Sequence, residues 1–171
     1  DGLYKKAVQD GMKGIAITDH GNMFGVFKFV AEAAKYNTKE NPNTIKPIVG
    51  CEFYMVEDRH KKQFTKEDWD VRCHQLMLAK NSEGYKNLFK LCSLGYMEGM
   101  YSKYPRIDKE LVLKYHKGLI ATTCCLAAEV PRLIIKKGEA EAEKAFKWWL
   151  DLFGDDYYIE LQRHDIPEQA I

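Results

Sequence analysis

Short apolar segments alternate with amphipathic segments along this chain, and the alternation constrains the fold more than any other feature. Apolar segments with the length and composition of β-strands occur at residues 14–18, 48–56, 73–81, 119–125 and 156–164. Apolar residues recur at helical spacing at residues 2–12, 22–36, 108–115, 126–136 and 139–153, and from Ser82 onward. This order predicts an α/β fold with a mainly parallel sheet, either open or closed into a barrel.

Polar residues at the segment boundaries predict where helices begin and end. Ser82 and Asp108 have side chains that can cap the helices that follow them, and Gly118 can end the second of these helices. Asp19 is favoured as the cap of the helix that begins near residue 22. The polar segment at residues 57–72 is predicted to be an exposed loop.

The composition of the 171 residues argues against several classes of protein. Because 26 Lys and Arg residues balance 25 Asp and Glu residues, any contact with nucleic acid has to be local. No run of about 18 apolar residues is present, which argues against a membrane-spanning helix. The five cysteines include no C-x-x-C pair, which argues against a zinc ribbon, and nothing in the sequence suggests secretion. We therefore expect a cytoplasmic protein with no membrane partner.

Chemically reactive side chains occur at the predicted strand ends, where functional groups gather in parallel α/β folds. The stretch GIAITDHGNMFG places His20 at such an end, beside Asp19, and Gly21 lets the backbone turn away sharply. The other candidates are Asp1, Cys51, Glu52, His74, Cys124, Cys125, Glu160 and His164. Imidazole, carboxylate and thiolate ligands together suit Zn, Mn or Fe better than Mg or Ca. Metals held there would polarise a phosphoryl oxygen and lower the pKa of bound water.

Structural interpretations compete with this metal hypothesis. A single His near a strand end is more often hydrogen-bonded than metal-bound. Because His74 opens its predicted strand, the strand-end rule does not place it beside His20. Three cysteines are expected in the core, namely Cys51, Cys73 and Cys92. Glu52 is harder to explain structurally, because a carboxylate in an apolar strand costs several kcal/mol unless it is paired or metal-bound.

Five ordered segments resemble a known family over nearly the whole chain. The segments are ITDHGNMFG, KPIVGCEFY, HQLMLAKNSEGYKNLFKLCS, GLIATTCCLAAEVP and YYIELQRH. In order and spacing they are similar to the PHP (polymerase and histidinol phosphatase) domains of bacterial replicative DNA polymerase III alpha subunits. The resemblance implies a distorted seven-stranded (β/α) barrel of the TIM-like PHP fold. It also implies a multinuclear cluster of divalent metal ions at the carboxyl face of the barrel.

The positions that match the family's metal ligands are Asp1, His20, Glu52, His74 and Cys125. His20 lies in the T-D-H motif, and His74 opens the family's H-x-L-L-A-K-N motif. Other members have S-G-C where this chain has Thr123, Cys124 and Cys125, so two adjacent sulfurs are candidate ligands.

The resemblance implies that residues 1–171 are a single PHP domain, truncated at both ends relative to the family. An H-x-H pair is expected before Asp1 and a D-x-H motif after Ile171, together with the first and last strands of the barrel. The whole protein would perform DNA-templated DNA synthesis, with its polymerase acids in later domains. Its PHP domain would hydrolyse phosphodiesters as a metal-dependent 3′→5′ proofreading exonuclease. Expected partners are DNA, the sliding clamp and other replicase subunits.

Two alternative functions remain open. The domain could be a catalytically silent scaffold that binds a separate proofreading exonuclease subunit. It could also be a free-standing phosphoesterase acting on a small substrate such as histidinol phosphate, although HQLMLAKNSEGYKNLFKLCS resembles the polymerase branch. The basic residues that could contact DNA are Lys61, Lys62, Lys66, Arg72, Lys80, Lys86 and Lys90. For each of these, a solvated charged face is the favoured interpretation.

Overall fold

The computed structural model describes residues 2–169, so the predicted ligand Asp1 lies outside the described residues. The helices are α1 (Gly2–Gln9), α2 (Val26–Ala33), α3 (Ser82–Met97), α4 (Lys109–Tyr115), α5 (Glu129–Lys137) and α6 (Glu139–Phe153). The strands are β1 (Gly14–Ile17), β2 (Lys46–Met55), β3 (Cys73–Ala79), β4 (Arg106–Ile107), β5 (Leu119–Thr122) and β6 (Tyr157–Tyr158). Short 3-10 helices occur at Gly154–Asp156 and Pro167–Gln169. The prediction of a mixed α/β fold is confirmed.

The direction of β3 is the main departure from the predicted sheet. The strand order is β1-β2-β3-β5-β6, and β4 pairs with the last two residues of β2. β3 runs antiparallel to β2 and β5, whereas the other described strand pairs are parallel. Residues 56–72 contain no helix, so the chain returns beside β2 in the opposite direction instead of crossing over. The sheet is therefore mixed, and the prediction of parallel strands is wrong for β3.

The sheet is open, and residues 2–169 do not form the expected seven-stranded barrel. β1 and β6 lie at the two ends of a six-stranded sheet. The last strand, predicted over residues 156–164, forms a ladder only at Tyr157–Tyr158. Because β5 ends at Thr122, the residues beyond Tyr158 have no β5 residue opposite them.

Two apolar clusters form the core. The larger one joins β2, β3 and β5 to the helices α3, α4 and α6, and it contains the fully buried Phe53, Met77 and Trp149. The smaller one joins α1 to α2 and contains Tyr4 and Phe29. Burying each large apolar side chain stabilises the fold by about 1.5–3 kcal/mol. None of the helices described within residues 2–169 is both long enough and apolar enough to span a membrane.

Side chains cap two of the predicted helices. The side chain of Asn81, not that of Ser82, caps α3 and accepts a hydrogen bond from the backbone N–H of Gly84 at 2.9 Å. Asp108 caps α4 as predicted, because its carboxylate accepts a hydrogen bond from the N–H of Leu111 at 3.2 Å. These caps satisfy N–H groups that have no partner within the helix.

The start of α2 differs from the prediction. This helix begins at Val26, and its N-cap residue Gly25 receives no side-chain hydrogen bond, so the prediction that Asp19 caps it is wrong. The side chain of Asn22 instead accepts a hydrogen bond from the N–H of Phe24 at 3.0 Å. This local Asn turn competes with helical hydrogen bonding and delays the start of the helix.

Residues 57–72 form a loop, as predicted, but buried arginines hold it against the fold. The fully buried Arg106 donates hydrogen bonds to two backbone carbonyl oxygens of the loop, at 3.2 and 2.7 Å, and to the carboxylate of Asp70 at 2.8 Å. Arg59, itself in the loop and buried, pairs with Asp108 at 2.9 Å. Because buried charges are costly unless they are paired, these contacts define the position of the loop.

Candidate metal centre

Four side chains from distant parts of the sequence meet at one edge of the sheet. Nε2 of His20 lies 3.3 Å from Oε1 of Glu52, and Nδ1 of His74 lies 2.8 Å from the same oxygen. Sγ of Cys125 lies 3.7 Å from Nδ1 of His74 and 3.9 Å from Oε1 of Glu52. His20, His74 and Cys125 therefore converge on the carboxylate of Glu52.

The backbone around Gly21 brings His20 to Glu52. The N–H of Gly21 donates to the carbonyl oxygen of Glu52 at 2.9 Å, and the N–H of Glu52 donates to the carbonyl oxygen of Asp19 at 3.1 Å. Gly21 has a φ of +67°, and a Cβ atom there would lie 2.7 Å from Cγ of Pro105. A side chain at this position would be both strained and crowded, so glycine allows the sharp turn that the sequence predicted.

The antiparallel direction of β3 brings His74 to the same edge. Tyr54 pairs with His74 in the β2–β3 register, so Glu52 is the diagonal neighbour of His74 on the same face of the sheet. The backbone N–H of His74 also donates to the carbonyl oxygen of Ala127, at 3.1 Å, which links β3 to the loop after β5. The first residues of an antiparallel strand lie beside the last residues of its neighbour. The strand-end rule failed for His74 because it assumed a parallel sheet.

A strained turn after β5 directs Cys125 toward the other ligands. Cys124 has a φ of +56°, a conformation that costs a non-glycine residue roughly 1–2 kcal/mol. Its backbone N–H donates to Oγ1 of Thr122 at 3.0 Å, which holds the turn. Sγ of Cys125 contacts both His74 and Glu52, whereas the buried Cys124 lies in a second group of possible ligand atoms with Cys125 and Glu52. The geometry therefore favours Cys125 as the sulfur nearest the imidazoles.

The electrostatics of the group suit a cation. The hydrogen bond from His74 lowers the pKa of Glu52. Hydrogen bonds to Cys125 and Glu52 raise the pKa of His74 to about 9. Hydrogen bonds from Cys124 and His74 lower the pKa of the Cys125 thiol. At pH 7 a carboxylate and a thiolate thus lie beside one imidazolium, and a metal ion would take the place of the imidazolium proton.

The residues present fit a divalent transition metal. His20, Glu52 and His74 offer ligand atoms that all lie within 4.8 Å of one another, as do Glu52, Cys124 and Cys125. Bonds of 2.0–2.3 Å to a tetrahedral zinc ion place ligand atoms roughly 3.3–3.8 Å apart. The separations of 3.3, 3.7 and 3.9 Å in this group are close to that range, and the 2.8 Å between His74 and Glu52 is that of a hydrogen bond. The mixture of nitrogen, oxygen and sulfur favours Zn, Mn or Fe over Mg or Ca, which bind through oxygen alone.

One known protein family matches most of the chain. Residues 1–164 match the PHP domain family. The chain belongs to the PHP domain family. The PHP domain described here therefore contains a cluster of candidate ligands at the edge of its sheet, built from β2, β3 and the loops that follow β1 and β5.

The relatives of this PHP domain are much longer proteins. The DNA polymerase III subunit alpha of Borreliella burgdorferi is 44% identical over 172 residues, which cover 99% of this chain and 14% of the relative. That of Aquifex aeolicus is 43% identical over 100% of this chain and 14% of its own length. That of Deinococcus radiodurans is 42% identical over 91% of this chain and 11% of its own length. The chain thus spans between about one ninth and one seventh of the length of these curated relatives.

A cavity of about 450 Å³ lies beside the candidate ligands of the PHP domain. Its lining residues are His20, Tyr54, Trp69, Asp70, Arg72, His74 and Tyr104. The sequence did not predict these lining residues, because residues 57–72 were expected to form an exposed loop and Arg72 to belong to a solvated charged face. The sequence contains one hint, which is Trp69 isolated among acidic residues in a polar segment.

The remaining candidates of the PHP domain lie outside the ligand groups. Cys51 is fully buried, with its Sγ 3.8 Å from that of Cys92, so its predicted place in the core is confirmed. Glu160 accepts a hydrogen bond from Oγ1 of Thr122 at 2.7 Å, which is a structural role. Neither Glu160 nor His164 belongs to the metal-ligand groups found among the described residues.

Proposed function

We propose that this PHP domain is the N-terminal portion of a bacterial DNA polymerase III alpha subunit. Two findings support the proposal. Three relatives that carry that name are 42–44% identical to the chain, and the chain accounts for 11–14% of their length. In this proposal the whole protein synthesises DNA on a DNA template during chromosome replication. Its partners are DNA and the other replicase subunits, and its polymerase acids lie outside this chain.

We further propose that the PHP domain hydrolyses phosphodiesters, as a 3′→5′ exonuclease that removes nucleotides from a DNA end. The observation that carries this proposal is the convergence of His20, His74 and Cys125 on Glu52. A divalent metal bound there would polarise the phosphodiester and lower the pKa of a water molecule. Glu52 holds both imidazoles in place, and the half-exposed His20 side chain faces the cavity through which DNA would enter.

The rest of the ligand set would come from Asp1 of this chain and from the remainder of the longer protein. Asp1 and the expected H-x-H and D-x-H motifs would complete a multinuclear site. The first and last strands of the family's barrel would close the sheet between β1 and β6. The length of the relatives argues against a free-standing phosphoesterase, since the matched region is a small part of each relative.

Replacing Glu52 in the full-length polymerase tests the metal-dependent activity. Loss of an outer partner of a metal ligand typically lowers metal affinity 10–100-fold, so Glu52→Ala should lower it by at least about 100-fold. Metal content is measured by mass spectrometry, and exonuclease activity on a labelled single strand. We expect both to fall, while DNA synthesis continues. The control is Glu57→Ala, which removes an exposed carboxylate just after β2.

Two outcomes would contradict the proposal in different ways. Unchanged metal content in Glu52→Ala would refute the ligand assignment. A wild-type protein that binds metal but leaves every single strand intact would instead support the catalytically silent scaffold.

A further inference from the structure

The cavity beside the candidate metal centre has an aromatic and basic wall that the hydrolytic proposal does not use. The rings of Tyr54 and Tyr104 pack edge to face with their centroids 5.0 Å apart, and Tyr54 packs in the same way on His74 at 5.6 Å. The guanidinium of Arg72 lies over the ring of Tyr104 at 3.8 Å. This row of contacting side chains runs from the candidate ligands to the loop at residues 57–72.

Trp69 also lines this cavity. Its side chain is 54% exposed, and the guanidinium of Arg132 lies 5.9 Å from its ring centroid. An indole ring exposed to this extent offers a large apolar face on which a flat ligand can stack. The backbone at Trp69 is also held in place, because the neighbouring Asp70 forms an ion pair with the fully buried Arg106, with Oδ1 of Asp70 2.8 Å from Nη1 of Arg106.

The charge of the wall favours an anion. Asp70 is the carboxylate that lines the cavity, and it is neutralised by ion pairs with Arg106 and Arg72. Within residues 2–169, the hydrogen bonds made by the guanidinium of Arg72 come from Nη1 alone. Its other N–H groups are therefore available to a phosphate oxygen.

We propose that this cavity binds the terminal nucleotide of a single-stranded DNA end, with the base stacked on Trp69 and a phosphate contacted by Arg72. The volume of about 450 Å³ lies within the range of small-ligand sites, which is roughly 300–1,000 Å³. Stacking on an aromatic ring accepts any base, as an enzyme that removes nucleotides from arbitrary sequences requires. A paired base is held in its duplex, so only an unpaired end enters without the cost of unstacking. This inference rests on the proposed exonuclease function.

The first test compares two substrates in the full-length polymerase. One single-stranded oligonucleotide ends in 3′-thymidine, and the other ends in a 3′-abasic residue. Stacking predicts that the wild type prefers the thymidine end by about tenfold in kcat/KM. Trp69→Ala should abolish this preference without lowering metal content, and Trp69→Phe should retain most of it. Phe27→Ala, which removes an exposed aromatic side chain from a different cavity, is the control.

The second test does not depend on hydrolysis. A single strand with a 3′-terminal 5-iododeoxyuridine is photocrosslinked to the full-length protein in the presence of a chelator, and the tryptic peptide carrying the label is identified. We expect the label in residues 67–72, lost in Trp69→Ala and kept in Phe27→Ala. A crosslink there in a protein without exonuclease activity would refute the hydrolytic proposal but support the nucleotide site. Hydrolysis with an unchanged base preference in Trp69→Ala, or a label only elsewhere, would overturn the nucleotide site.

Discussion

Arg106 should control the stability of the loop that forms the cavity wall. Its guanidinium is fully buried and donates four hydrogen bonds, one to the carboxylate of Asp70 and three to backbone carbonyl oxygens of Arg59, Lys61 and Gly99. Arg106→Met keeps an unbranched apolar stem of similar path but removes all four donors. The three carbonyl groups then lose a buried partner, and one oxygen of Asp70 loses its charge-assisted hydrogen bond.

The size of the effect follows from these contacts. Removing one member of a buried ion pair typically costs 3–5 kcal/mol, because the other charge is left without compensation. Asp70 keeps its second partner, Arg72, so we expect the lower end of that range, about 3 kcal/mol. If the cost falls on the local opening of residues 57–72, it raises the population of the open loop roughly 150-fold.

Hydrogen exchange of the full-length protein, followed by mass spectrometry, measures this opening. Peptides that cover residues 57–72 should exchange about two orders of magnitude faster in Arg106→Met, while peptides from the core of α3 should be unchanged. Lys66→Met is the control, since it removes an exposed positive charge from the same loop. If exchange of this loop in Arg106→Met stays within about threefold of the wild type, the buried network does not hold the loop.

Three further predictions concern the candidate metal centre and the packing of α3. Because the pKa of His74 is raised to about 9 and metals bind neutral imidazole, zinc affinity should increase about tenfold per pH unit from pH 7 to 9 and then level off. Competition with a chelating dye measures the zinc affinity at each pH, and an affinity that does not change with pH would contradict the prediction. Cys125→Ser should lower zinc affinity far more than Cys124→Ser, and equal losses in the same titration would refute the preference for Cys125. Gly84→Ala should destabilise the domain by more than about 1 kcal/mol, because the new Cβ would lie 1.7 Å from the carbonyl oxygen of Gly118. Limited proteolysis measures this loss, and a wild-type cleavage pattern would contradict it.

Local sequence patterns predicted the secondary structure well where one dominant signal was present. Asp108 begins α4 and Gly118 follows its end, because capping and left-handed turns depend on a few adjacent residues. The predictions failed where two local options competed. Asn81 and Ser82 are both able to cap α3, and the Asn turn at residue 22 shortened α2. Such choices differ by only about 1 kcal/mol, so the surrounding structure decides them.

The candidate ligands were predictable in identity but not in position. His20 and Cys125 follow strands, as expected for functional residues in an α/β fold, whereas His74 is the second residue of one. Its place in the site depends on the direction of β3, which the residues of β3 do not encode. The wall formed by Trp69 and Arg72 was missed because buried arginines distant in sequence hold that loop, and a polar segment gives no local sign of such contacts.

The sequence by itself determined the order of the helices and of every strand except the two-residue β4, the family, and the kinds of side chain available to bind a metal. Each of these depends on composition, on periodicity over a few residues, or on short motifs of adjacent residues. Only the tertiary structure decided that Glu52 is the meeting point of His20, His74 and Cys125, and that a cavity with an aromatic wall opens beside them. Distances between such groups depend on strand direction, register and buried ion pairs. Those are contacts between residues far apart in the chain, and no local pattern specifies them.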